Sequence, residues 1–228
     1  MFKNSIPDLN PVEDGIILID KPTGISSFGV VNVVRKNLSA HFGKKIKVGH
    51  TGTLDPFASG LMILVVGKEC KSAQNYSKLD KTYEANIELG KISSTGDVEG
   101  ELKDFSDTKP SLEDIKKTIS KFEGEIEQKP PKFSAIKIAG KRAYDLARKG
   151  EEFDLPSRKV TINSIEIIDY NYPFLKLRVD VSSGTYIRSL AEDIGSDLGT
   201  GAYCKDLRRI SIDRWTIDSA LNLVQSVV

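Results

Sequence analysis

Apolar residues fall in short blocks whose spacing changes several times along the chain. Gly15 to Asp20 (GIILID) and Leu61 to Val66 are continuous apolar runs bounded by turn residues, and each predicts a short buried strand. Between them, Phe28, Val31, Val34 and Leu38 recur at helical spacing behind Ser26 and Ser27, either of which can cap the helix they predict. Tyr83, Ala85, Ile87 and Leu89 alternate with polar residues, as in a half-buried strand. Ser111 opens a second helix, with Asp114 at the capping-box position and Leu112, Ile115, Ile119 and Phe122 on its apolar face. Val160 to Ile168 and Leu175 to Val181 predict two more strands. A helix from about Tyr186 to Leu198 carries Ile187, Leu190, Ala191, Ile194 and Leu198 on one stripe. Strands and helices follow in irregular order, which predicts an α+β fold with a mixed sheet rather than a doubly wound parallel one.

The segment from Pro130 to Pro156 departs from this pattern. It is basic and proline-bounded, with a short helix near Ala143 to Lys149 that Gly150 ends, and it reads as an excursion from the core. Composition changes the picture little. The chain has 228 residues, 39% hydrophobic and 29% charged, which suits a globular protein with a substantial core. Its longest apolar run is far short of a membrane span, and its N-terminus has no signal-peptide core. Two cysteines, Cys70 and Cys204, form no disulfide framework, so a reduced, cytoplasmic setting is expected.

Charge matters more by place than by its sum of +1. Arg35 to Lys81 holds nine Lys/Arg against three Asp/Glu, and Lys129 to Lys159 nine against four, whereas Thr82 to Gln128 holds six against twelve. Such segregation lets a near-neutral chain present basic faces to a polyanion, although a solvated face is the stronger reading of any single run. Several chemistries are excluded. Gly60 and Gly67 precede Lys68 at the wrong spacing for a phosphate-binding P-loop, and Glu69 stands where Ser or Thr is needed. Only His41 and His50 are present, with no HExxH or Cys/His cluster for zinc, no dinucleotide fingerprint and no GxSxG elbow. Catalysis is left to carboxylates, tyrosines, arginines and lysines.

Three stretches are candidates. VGHTGTLDPFASG places a lone Asp55 among small residues, with Pro56 biasing it toward an extended backbone, just before a buried strand. An ordinary Asp-Pro turn is an equally good reading of that segment alone. SSGTYIR puts Tyr186 and Arg188 where a strand turns into a helix, and an arginine there can pair with a buried carboxylate. DKTY puts Tyr83 at the head of a strand, where by itself it reads as core.

In combination these stretches resemble the TruB family of tRNA pseudouridine synthases. GHTGTLDPFASG, DKTY, TGDVEG, QKPPKFSAIKIAGKRAYDLARKG, SSGTYIR and DLRR occur in family order, from about Asp14 to the neighbourhood of Trp215. The resemblance implies the pseudouridine synthase fold: a mixed, mainly antiparallel central sheet flanked by helices and loops, with a thumb at about 130–156. It implies that Asp55 is the essential carboxylate, that Tyr83 stacks on the target uracil with its hydroxyl near the reacting sugar, and that Arg188 pairs with Asp55. Lys71, Tyr186 and Leu207 would line the base pocket, His50 would sit against the neighbouring bases, and Asp97 would maintain the site.

The substrate implied is the tRNA T-arm stem-loop, modified at uridine 55 by a monomer without protein partner, membrane, metal or cofactor. Two departures accompany the match. Phe133 stands where tyrosine is usual, and the chain stops at Val228 without the PUA-type domain into which most bacterial relatives continue, so a single catalytic domain over 1–228 is expected. Alternatives are a guide-RNA-dependent synthase subunit and a non-catalytic RNA-binding or refolding module.

Overall fold

A computed structural model describes residues 2–7, 9–134, 136–138 and 140–227. The chain divides into two compact units, Met1–Tyr83 with Leu207–Val228, and Glu84–Asp206. Among the described residues ten strands belong to a mixed sheet. The α+β class expected from the sequence is the one observed.

In the first unit the strand Ser59–Val66 is central. It pairs antiparallel with Gly15–Lys21 and Val48–His50, and parallel with the end of Ala202–Ile212, where Arg208 and Arg209 meet Ser59 and Gly60. Every residue from Gly60 to Val66 is buried, so both faces are covered, and that is why its sequence is a continuous apolar run rather than an alternation. The helix Ser27–Phe42 starts at Ser26, whose hydroxyl accepts from the Gly29 amide, and ends at Gly43 in the left-handed conformation.

Its buried face is Ser27, Val30, Val31, Val34 and Leu38. Phe28, expected on that face, is instead 60% exposed, with the Arg35 guanidinium 5.9 Å from its ring. A polar residue holds the inward place because it has a task there. Ser27 Oγ donates to the Leu54 carbonyl and accepts from the Leu54 amide, both at 2.8 Å.

In the second unit Arg158–Asn171 pairs antiparallel with Phe174–Val181 and with Gly124–Gln128. Arg158 faces Gln128 in that register, so the segment between them leaves the sheet and returns to the same point. The excursion carries a two-residue hairpin ladder and the helix Ala143–Arg148, with Gly150 left-handed just beyond, as the sequence predicts. Ala135 and Ala139, within it, lie outside the described residues.

The helix Leu112–Ile119 has the expected capping box between Ser111 and Asp114. It stops before Phe122, and Leu112 is exposed. With only eight residues, Ile115, Thr118 and Ile119 suffice for its buried face, and Thr118 spends its hydroxyl on Asp197. No helix among the described residues is long and apolar enough to cross a membrane.

Candidate active site

The Asp55 loop is held at nearly every residue around the carboxylate. Thr51 donates both its amide and its hydroxyl to the Ile63 carbonyl. Leu54 is clasped by Ser27, and the Asp55 carbonyl accepts from the Ala58 amide at 3.2 Å. The Pro56 carbonyl accepts from the Gly24 amide at 2.8 Å and from Lys21 Nζ at 3.4 Å. Leu54, Phe57 and Ala58 are buried while Asp55 is half-buried. A tight frame with one partly open carboxylate is the arrangement a catalytic acid, base or nucleophile needs.

Tyr83 shares this unit. It is buried, and its hydroxyl accepts from Arg209 Nη1 at 3.4 Å. His50 ends the strand that leads into the Asp55 loop, Lys71 is exposed on the turn Gly67–Ser72, and Leu207 is buried.

Asp97, Tyr186 and Arg188 belong to the other unit. Of the expected site residues the structure joins Asp97 and Arg188 directly. Both are buried, with Arg188 Nη1 2.8 Å from Asp97 Oδ2. The same Nη1 donates to the Thr95 carbonyl, and Nη2 donates to the Phe133 carbonyl at 2.7 Å, tying the start of the 130–156 excursion to the arginine. Asp97 is positioned in turn by Thr95 Oγ1 and the Glu99 amide.

Tyr186 is fixed at the backbone by the Gln128 amide, which donates to its carbonyl and accepts from its N–H. The Arg158 guanidinium lies 4.7 Å from its ring centre. Each expected residue thus has a defined local setting.

Among the buried cations not singled out in the sequence are Lys21 and Arg209. Lys21 ends GIILIDK and is fully buried, its Nζ donating to the carbonyls of Pro22, Ile25 and Pro56. The signal was alternation: Ile17, Ile19 and Lys21 share the inward face of one strand. Arg209 shows the same signal, two residues after Leu207 on Ala202–Ile212.

A model of the TruB family pseudouridylate synthase N-terminal domain matches residues 36–187. The chain belongs to this family. Among its TruB relatives, tRNA pseudouridine synthase B of Endomicrobium trichonymphae is 43% identical over 91% of this chain and 89% of that protein. The proteins of the same name from Aquifex aeolicus and Phocaeicola vulgatus are each 42% identical, over 72% and 92% of their own lengths.

Among solved structures, the crystal structure of a Cbf5-Nop10-Gar1 complex contains a chain that is 30% identical. The TM-score is 0.66, and the match covers 88% of this chain and 49% of that one. A chain in the archaeal box H/ACA sRNP Nop10-Cbf5 complex is 26% identical with the same TM-score. The TruB chain described here is therefore a pseudouridylate synthase by family, with the pseudouridine synthase fold.

Proposed function

We propose that this chain converts the uridine at position 55 of the tRNA T-loop to pseudouridine, acting alone in the cytoplasm, with Asp55 as its catalytic carboxylate. The observation that carries the reading is the Asp55 loop itself, clamped by Ser27, Thr51, Gly24 and Lys21 in a chain whose close relatives are named tRNA pseudouridine synthase B.

The reaction breaks N1–C1′, turns the base and joins C5 to C1′. The C5 proton is then lost and N1 is protonated, so the isomerisation consumes no oxidant or reductant. Asp55 can serve it by adding to C6, by attacking C1′ or by assisting loss of the 2′ proton, and each route needs an ionised, oriented carboxylate. Arg188, itself held by Asp97 and two carbonyls, is the cation proposed to keep it so. The target must leave its stack, at a cost of a few kcal/mol. Stacking on Tyr83 returns ~1–3 kcal/mol of this. His50, Lys71, Tyr186 and Leu207 are proposed to line the pocket for base and neighbours, and the 130–156 excursion to contact the RNA arm.

The likeness to Cbf5 raises a guide-dependent reading, at 30% identity against 43% for the tRNA enzyme. Purified chain incubated with a T-arm transcript decides between them, because only a standalone synthase forms pseudouridine there. In the same assay Asp55→Asn should yield no product while binding the transcript within a few-fold of the parent. Residual turnover in a preparation free of parent enzyme would remove Asp55 from the chemistry.

A further inference from the structure

Arg209 is 1% exposed and stands in an unusual setting. Its Nε donates to the Leu61 carbonyl at 2.7 Å, its Nη2 to the Gly52 carbonyl at 3.2 Å, and its Nη1 to Tyr83 Oη at 3.4 Å. None of the ion pairs among the described residues includes it, and Lys81, on which its charge acts, is also a cation. Burying a guanidinium without a counter-ion is costly, so stability alone does not account for placing one here. What it touches is specific: the loop three residues before Asp55 on one side, and the hydroxyl of Tyr83 on the other.

We propose that Arg209 is a positioning residue for the isomerisation, one that fixes the Tyr83 hydroxyl and the Asp55 loop in a single rigid frame. The proposal rests on the reading of Asp55 as the catalytic carboxylate and of Tyr83 as stacked on the target with its hydroxyl near the reacting sugar. A phenol oxygen has one proton to donate and two lone pairs to accept with. The guanidinium occupies a lone pair, so the Tyr83 proton is turned away from Arg209 and is left for another acceptor. The fork geometry of arginine lets one residue hold the phenol, the Gly52 carbonyl and the Leu61 carbonyl at once, which a lysine cannot do from a single nitrogen. The parallel pairing of Arg209 with Gly60 fixes its backbone in register with the strand that leaves the Asp55 loop.

Arg209→Lys, Tyr83→Phe and the double variant test this, with single-turnover rate, transcript affinity and circular dichroism measured for each. Arg209→Lys should fold, bind the T-arm within a few-fold of the parent and lose about 10²-fold in rate, the loss expected of a misplaced reacting group. Added to Tyr83→Phe, the same change should cost far less, because the hydroxyl it positions is already gone. Full additivity overturns the proposal, as does an unchanged rate, or a defect confined to affinity or thermal stability.

A second arm leaves Arg209 intact and needs no turnover. The Arg209 Nε–Hε resonance should move in Tyr83→Phe, and an unmoved resonance likewise overturns the proposal, even if Arg209→Lys fails to fold. A parent enzyme inactive on the T-arm while that resonance moves would instead refute the proposed function and leave the Arg209–Tyr83 coupling standing.

Discussion

Lys81 stands two residues before Tyr83, at the head of the same strand, and is buried with its Nζ on the carbonyls of Ser77 and Leu79. Burial first, and then the charge of Arg209, push its pKa from 10.5 down to about 8, with Asp80 opposing. Below about pH 8 both the folded and the unfolded chain carry the proton, and the fold bears the full cost of a buried ammonium. Between about 8 and 10.5 the unfolded chain still binds a proton that the folded chain has released, so this group makes stability rise with pH across that window. Lys81→Met should abolish that rise. Urea unfolding of parent and variant at pH 7.5, 9 and 10.5 checks it: the variant's relative advantage should be largest at the lowest pH. Parallel profiles would mean that Lys81 binds its proton equally well in the folded and unfolded chain.

The same residue scale shows what a sequence can and cannot expose. Asp55, Tyr83 and Arg188 stood out because each sits in a loop or strand end whose surrounding small or polar residues form a motif. Lys21 and Arg209 did not, because each continues the otherwise apolar buried face of its strand. Asp97 and Arg188 lie 91 residues apart, and only the fold joins them.

At the scale of elements, hydrophobic pattern was most legible where one strand or helix face is buried for its whole length. Gly15–Lys21, Ser59–Val66, Lys81–Leu89, Phe174–Val181 and Ile187–Asp197 all coincide closely with the expected elements. It failed at helix first turns, where Phe28 and Leu112 look like core residues but point outward, because Ser27 and Ser111 have backbone groups to satisfy there. It was silent on three-residue strands such as Lys91–Ser93, which exist only through pairing with a neighbour.

Pairing also sets a strict demand at Gly60, directly opposite Arg209. Gly60 has φ +109, and an added Cβ would fall 2.2 Å from the Arg209 carbonyl oxygen and 2.6 Å from its nitrogen. Backbone cannot yield as a side chain tip can. Gly60→Ala should therefore combine conformational strain with overpacking, for a loss of roughly 3–5 kcal/mol. A urea midpoint converted to less than about 1 kcal/mol would show that the two strands separate at low cost.

The whole chain is nearly neutral, yet its cations are not evenly spent. In the first unit one shallow concavity is lined by Lys44, Lys45, Lys47, Lys68 and Lys71, with Glu13 and Asp14 the acids among them. Lys44 pairs with Glu13 and Lys68 with Asp14, whereas Lys45 and Lys47 are exposed and make no ion pair among the described residues. Lysines held near one another without acid partners repel, and a polyanion relieves that repulsion while releasing its own counterions. If this face meets the T-arm, each phosphate contact contributes about 0.7–0.9 to the slope of log affinity against log salt. Lys45→Gln with Lys47→Gln should then weaken transcript binding and flatten that slope by up to ~1.8, while turnover at saturating RNA stays at the parent value. The matched control is Lys116→Gln with Lys117→Gln, which removes the same charge from exposed positions on the helix Leu112–Ile119 within the acidic stretch. That pair should leave the slope unchanged. Binding titrations at four potassium chloride concentrations separate the outcomes: equal flattening by both pairs means that only net charge matters, and no flattening by the first means that its lysines are a solvated face. Flattening by the first pair alone places phosphate on this surface, which net charge by itself does not predict.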